Sequence, residues 1–454
     1  MTDLIQTQRD YFAAQKTKDV SFRKNALRRL LREIEDREED ICDAVYEDFK
    51  KPRFETMGTE TQFVLADIKH TLKKIESWAA RERVSTNLMN WPSRDYVYRE
   101  PYGTVLIIAP WNYPFQLALA PLIGAIAAGN TAIVKPSELT PNTSRVISEI
   151  ISASFDPGHV SVVEGGVETS QQLLTQKWDY IFFTGSTRVG KIVYESAAKY
   201  LTPVTLELGG KNPTIVDQSA SIDMTAKRIA WGKFLNAGQT CIATDYILVH
   251  ESVKEKLVEA LKRKITDFYG ENIEDSPDYA RTVSAKHHAG LMEMLEGETV
   301  LFGGQSNATD NYLGPTLVDE PEKNSKLMEG EIFGPILPII SYRTEEEIDE
   351  IINRYDRPLA TYVFSKRKSF RNRILQKYSF GGGAVNDTVI HIANKNIPFG
   401  GVGQSGIGAY HGKASFELFS HKKGIVTKSS IEAPLRYPPY TLPKAFAKII
   451  HRLF

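Results

Sequence analysis

Cys241 lies in the stretch FLNAGQTCIATD, and its surroundings raise the question of thiol chemistry. A lone cysteine is ordinarily a small buried hydrophobe. Here Gly238, Gln239 and Thr240 make a small, polar approach along which a thiol could stay accessible. The reactive species is the thiolate, and a thiol of ordinary pKa, about 8.5, is only a few per cent ionised at neutrality. Such a site therefore needs a favourable field or a partner. None of the nine histidines is close in sequence, the nearest being His250. Folding could still supply one, so a cysteine–histidine hydrolase stays open at this point. No paired Cys or His spacing resembles a zinc site, and no metal is expected.

Glu207, in TLELGGKNP, is the stronger partner. A carboxylate at a strand end, followed by Gly209 and Gly210, could reach a cleft uncrowded and act as a general base for water. The plain alternative is a solvated strand-end glutamate. Asn112, in APWNYPF, also follows a strand and could donate its side-chain N–H to an oxyanion. The competing reading is a turn asparagine two residues ahead of Pro114.

The elements that must position these groups are legible as alternating patterns. In FRKNALRRLLREIE, Leu27, Leu30, Leu31 and Ile34 form the stripe of an amphipathic helix, and residues 1–80 read as helical. From residue 104, the apolar runs TVLIIA, TAIVKP, HVSVVEG, YIFFTGS and VTLELGG alternate with helical segments. Runs this apolar suit strands buried on both faces, joined by right-handed βαβ crossovers in a doubly wound sheet. Such sheets bind ligands beyond the carboxyl ends of their strands, where Asn112 and Glu207 fall. A second αβ series begins near Ser221, with a helix over 222–236 and strands in YILVH, TVLFGG, ILPIISY, ATYVFS and GGAVND. Residues 84–103 read as an exposed hairpin.

Composition narrows the function classes. A chain of 454 residues is expected to form two or three units. Lys plus Arg and Asp plus Glu both number 56, and the balanced charge argues against nucleic-acid binding. Two cysteines suit a reducing compartment. The start shows no secretory signal, and no apolar run approaches the roughly 18 residues of a membrane span. A cytoplasmic protein is expected.

Seven segments, APWNYP, IVKPSE, FTGSTRVG, ELGGKNP, NAGQTC, EIFGP and PFGGVGQSG, occur in this order. Together they resemble the aldehyde dehydrogenase superfamily from about residue 15 to 430, and the 34-residue interval from Glu207 to Cys241 agrees with that family's base-to-nucleophile spacing. The short approach to the first helix and the ending GVGQSGIGAYHGKASFELFSH with RYPPY resemble its class 3 branch, whose bacterial members oxidise fatty, aromatic and carotenoid-derived aldehydes.

The resemblance implies NAD(P)-dependent oxidation of an aldehyde to the acid. Cys241 would attack the carbonyl, Asn112 and the Cys241 backbone N–H would hold the oxyanion, and Glu207 would activate water against the thioester. It also implies an α/β fold with a Rossmann-like cofactor domain (1–83 and 101–208), an α/β catalytic domain (209–412) and a small β oligomerisation element (84–100 and 413–430). By position, Lys135 and Glu138 would contact the adenosine ribose, and Gly185 and Ser186 would lie near the pyrophosphate at a helix N-terminus. Gly190 would let that helix approach closely, Glu331 would contact the nicotinamide ribose, and the Phe333 ring would pack beside the nicotinamide. The GxGxxG fingerprint is not involved. A carboxylate at Glu138 favours NAD over NADP, although class 3 relatives often use both.

Two rival readings compete with this one. Acyl transfer to coenzyme A is disfavoured by Glu207, which such relatives typically lack. A non-catalytic binding or structural protein on the same scaffold is disfavoured by the joint presence of Asn112, Glu207 and Cys241. Class 3 resemblance further suggests a homodimer. In the tail 431–454, Phe446, Ile449, Ile450, Leu453 and Phe454 share a helical face beside Lys444, Lys448, His451 and Arg452. Docking on protein is the favoured use of this face, and peripheral membrane contact through 444–454 is the other.

Overall fold

The computed structural model describes residues 2–87, 90–431 and 437–438. The amphipathic helix expected over 444–454 lies outside the described residues. No described helix is long and apolar enough to cross a membrane.

The amino-terminal helices form because each carries one apolar stripe. In Val20–Asp36, Asp19 caps the first turn by accepting from the Ser21 N–H at 2.8 Å, and Leu27, Leu30 and Ile34 are fully buried. They pack with helix Gln62–Ala79 around helix Gln116–Ala128, every residue of which is buried. An element apolar on all sides can sit only between layers, and this one separates the helices from a sheet.

That sheet has six strands, in the spatial order Gly406–Ile407, Val204–Glu207, Tyr180–Thr184, Thr104–Ile108, Thr131–Lys135 and Val160–Val162. All are parallel except Gly406–Ile407. The strand order reverses between Thr104–Ile108 and Tyr180–Thr184. The loops leaving these strands form the crevice in which open α/β sheets bind ligands.

A second sheet runs Val300–Phe302, Thr316–Asp319, Ile336–Tyr342, Tyr246–His250, Pro213–Val216, Ala360–Phe364 and Gly382–Val385, parallel apart from its first strand. Pro213–Val216, which the sequence patterns did not separate from the ELGGKNP turn, holds an inner position. After the second sheet the chain returns to the first, where Gly406 pairs with Glu207 and the Leu208 N–H donates to the Ser405 carbonyl at 3.1 Å. The expected hairpin is present as Glu82–Val84 against Ser93–Pro101, and Ser420–Lys428 lies antiparallel along the latter strand for its whole length.

Candidate active site

The nucleophile candidate sits on a loop of unusual backbone. The helix expected over 222–236 ends at Phe234. Asn236, Ala237 and Gly238 then adopt left-handed conformations in succession, with φ of 56°, 50° and 75°. Asn tolerates this region and Gly adopts it freely, but for Ala237 it costs roughly 1–2 kcal/mol. Gly238 is also sterically required, since a Cβ there would lie 2.3 Å from the Gly334 carbonyl oxygen.

A lattice of buried amides holds the loop. Asn236 Nδ2 donates to the Asn112 and Gln239 carbonyls at 2.8 and 3.1 Å, and Gln239 Nε2 donates to the Asn236 and Arg281 carbonyls at 3.0 and 2.9 Å. The Val283 N–H returns to Gln239 Oε1 at 3.0 Å. A hydrogen-bonded turn from Thr240 to Ala243 presents Cys241, whose carbonyl accepts from Asn212 Nδ2 at 2.7 Å.

Cys241 and Glu207 line one cavity of about 630 Å³. Glu207 is the last residue of its strand and is only 2% exposed, so it is not a solvated strand-end carboxylate. Neither of its carboxylate oxygens has a hydrogen-bond partner, and burial holds its pKa well above the usual carboxylate range. Burial likewise pushes the Cys241 thiol up, and the carboxylates of Glu331 and Glu207 push in the same direction.

Asn112 is buried, and one of its two amide N–H groups is committed to the Gln239 carbonyl at 3.1 Å. Its chain neighbour Tyr113 shares a 2.6 Å hydrogen bond with the hydroxyl of Thr240. The loop after Thr104–Ile108 is thus tied to the loop that carries Cys241.

Glu331 faces the same region from the loop that precedes strand Ile336–Tyr342 of the second sheet. Its carboxylate lies over Gly209, where a Cβ would come within 1.9 Å of Oε2, and Oε1 is buried without a partner. Burial first, then the charge of Asp245, holds Glu331 well above the usual range. Phe333, at φ 53°, packs edge-on to Trp111 with ring centroids 5.3 Å apart.

The other candidate cofactor residues flank the crevice without bordering the cavity. Ser186 caps helix Thr187–Ala198, the Gly185 N–H donates to the Glu207 carbonyl at 3.0 Å, and Gly190 admits Leu208, which a Cβ would meet at 2.7 Å. Lys135 Nζ donates to the Glu138 carboxylate at 2.7 Å. Hydroxyl-bearing and anionic parts of a dinucleotide suit this set. Glu331 Oε1 is an uncommitted buried acceptor for a hydroxyl, and the capped helix terminus offers oriented N–H groups. Among the described residues, no group of three or more His, Cys, Asp and Glu could hold a metal ion.

One further pair has no spacing in the sequence to mark it. Lys51 and Glu60 form a fully buried ion pair at 2.8 Å. Glu60 Oε2 also accepts from the N–H groups of Phe115 and Gln116 at 2.8 and 3.3 Å, and Lys51 Nζ sits 3.9 Å from the centroid of the Tyr113 ring. The pair therefore braces the loop carrying Asn112. Because either partner alone would be an uncompensated buried charge, Lys51→Met or Glu60→Leu is expected to cost roughly 3–5 kcal/mol in urea unfolding. The double variant should recover part of that loss. Single variants as stable as the parent would show that the brace is dispensable.

The aldehyde dehydrogenase family model matches residues 2–425. The chain is 50% identical over 433 residues to the 4,4'-diaponeurosporen-aldehyde dehydrogenase of Staphylococcus aureus, a match covering 95% of this chain and 94% of that protein. It is 44% identical to aldehyde dehydrogenase family 3 member A2 of Rattus norvegicus, over 96% of this chain and 90% of the other. A solved substrate-bound structure of Staphylococcus aureus AldH superposes with a TM-score of 0.97 at 48% identity, covering 99% of both chains.

Proposed function

The chain belongs to the aldehyde dehydrogenase family, and from that premise we propose that Cys241, Glu207 and Asn112 carry out its NAD(P)-dependent oxidation of aldehydes to carboxylic acids. The observation that carries the assignment is that the Cys241 thiol and the unpartnered Glu207 carboxylate share one cavity.

Cys241 loses its proton to solvent and, as the thiolate, adds to the aldehyde carbon, forming a C–S bond and an alkoxide. The remaining Asn112 amide N–H and the Cys241 backbone N–H stabilise that oxygen, an arrangement in which one donor is worth about 10²–10³ in rate. When bound, the nicotinamide supplies the acceptor for the hydride lost from the same carbon. What is left on Cys241 is a thioester. Glu207 takes a proton from water, the hydroxide adds to the thioester carbonyl, and the C–S bond breaks to release the acid and regenerate the thiolate. Splitting oxidation from hydrolysis gives each step an accessible barrier.

On the same reading Lys135, Glu138, Gly185, Ser186, Gly190, Glu331 and Phe333 hold the dinucleotide. The cofactor domain is 1–83 with 101–208, the catalytic domain is 209–412, and 84–100 with 413–430 forms the oligomerisation element. NAD is the preferred form because Glu138 already neutralises Lys135, leaving no free cation there for a 2′-phosphate, although NADP-preferring relatives exist. The substrate is a hydrophobic aldehyde, since Phe54, Phe63, Leu117, Trp231, Phe268 and Phe399 line the cavity. Steady-state kinetics on short, long-chain, aromatic and polyene aldehydes with both cofactors tests this. kcat/KM should rise with chain length and be higher with NAD. Flat dependence on length, or NADP used about tenfold better, would overturn these assignments.

A homodimer is the assembly proposed, because Ser420–Lys428 is an edge strand of its sheet and exposes Ile425 and Val426. Sedimentation velocity reporting a monomer would exclude it.

A further inference from the structure

A second cavity, of about 530 Å³, opens behind the wall of the first. Helix Gln62–Ala79 contributes His70 and Lys74, spaced one turn apart and therefore on one face. The segment after the Ile390–Ala393 turn contributes Lys395, and the approach to helix Lys413–Leu418 contributes His411 and Lys413. Three lysines and two histidines thus converge from three separate parts of the chain.

Two of them have uncommitted hydrogen-bonding capacity. His411 is 3% exposed and neither ring nitrogen has a partner; Lys395 Nζ is buried and also has none. Among the described residues Glu417 is the only carboxylate on the lining, and it is already paired with Arg99 and Lys413, each at 3.3 Å. Asp67, one turn before His70, is the nearest counter-charge felt by Lys395, yet the two make no ion pair and Asp67 Oδ1 is itself unpartnered. Burial pushes Asp67 up to about 6, so at neutral pH its carboxylate still offsets part of the charge of Lys395. The basic groups meanwhile hold one another down: burial and then Lys395 bring His411 to about 3, and burial, Lys395 and Lys74 lower His70.

We propose that this cavity is a binding site for a phosphate group, gripped by Lys395 and His411 and flanked by Lys74, Lys413 and His70. A phosphate offers several acceptor oxygens to Lys395, Lys74 and Lys413, and charge-assisted hydrogen bonds would satisfy the buried nitrogens. The site adjoins the catalytic cavity. The His411 ring stacks on Phe399 at 5.3 Å and tilts against Phe63 at 5.4 Å, and both phenylalanines line the aldehyde cavity. Phosphate drawn to His411 would therefore act on the wall that the substrate touches.

Isothermal titration of the full chain with inorganic phosphate, in a phosphate-free buffer at neutral pH, is the test. Saturable binding is expected, weakened about fivefold or more by Lys395→Gln and unchanged by Lys227→Gln, an exposed residue outside the cavity lining. Phosphate should also move the His411 ring titration to higher pH, a shift that a merely structural histidine would not show. Absence of saturable binding, or equal affinity in the parent and Lys395→Gln, would overturn the proposal. A parallel arm separates sources of the group. Sedimentation with phosphatidylcholine vesicles carrying phosphatidic acid, lost in Lys395→Gln, would assign a lipid headgroup; phosphate binding without sedimentation would assign a free phosphate.

Discussion

Replacing Cys241 by alanine is expected to lower kcat for aldehyde oxidation by at least about 10⁴-fold, because no covalent adduct can then form and the barrier reverts to direct attack by water. The fold should survive. Cys241 is only partly covered, and the loop that carries it is fixed by Asn236, Gln239 and Asn212 rather than by the thiol. The decisive measurement is a rapid-mixing trace of NADH absorbance. The variant should show neither a burst nor a steady state, with its thermal midpoint unchanged. Aldehyde-dependent NADH formation at the parental rate would end the assignment of Cys241 as nucleophile.

Glu207→Gln is expected to separate the two halves of the reaction. The amide keeps the shape of the side chain but cannot accept a proton, so thioester hydrolysis should slow about 10²–10⁴-fold. The NADH burst should remain, with an acyl group on Cys241 detectable by intact-mass spectrometry. The direction of the pKa shift adds a second test. Because burial raises the Glu207 pKa, its base form appears only at pH well above the usual carboxylate range, and the acid limb of kcat in the parent should lie correspondingly high. In Glu207→Gln that limb should vanish.

The same shift has a stability consequence of determinable sign. A carboxylate whose folded pKa is raised binds its proton more tightly in the native state. Stability is then lost as pH rises from the ordinary carboxylate range through the raised value. Glutamine removes that loss, so the variant should unfold at the same temperature as the parent in acid and at a higher one in alkali. A variant less stable at alkaline pH, or lacking a burst, would argue against the role given to Glu207.

Much of this architecture was readable because burial on both faces leaves continuous apolar runs. TVLII, TAIVK, YIFFT and YILVH each became strands for that reason. Pro213–Val216 escaped because four residues directly after a glycine turn carry no period of their own. Ser420–Lys428 is polar and mostly exposed, and its strand character comes from pairing with residues more than 300 positions earlier. The site divides in the same way. Cys241, Glu207 and Asn112 sit in locally distinctive segments, and Asn236 and Gly238 are residues that favour left-handed backbone. Ala237 carries no such sign, and its conformation is imposed by the surrounding amide lattice. Lys51 and Glu60 look like surface charges in KKPRFETMGTE, and only tertiary packing turns them into a buried brace.

The pairing of Gly406 with Glu207 makes the base a mechanical anchor point. Its strand is flanked on one side by Tyr180–Thr184 of the first sheet and on the other by a segment that the chain brings back after building the second. The backbone of Glu207 is therefore pinned from both edges of its strand. The base cannot travel as part of a moving loop. Whatever reach it needs between its resting position and an attacking water has to come from rotation about its own side-chain bonds, within the cavity that the carboxylate lines.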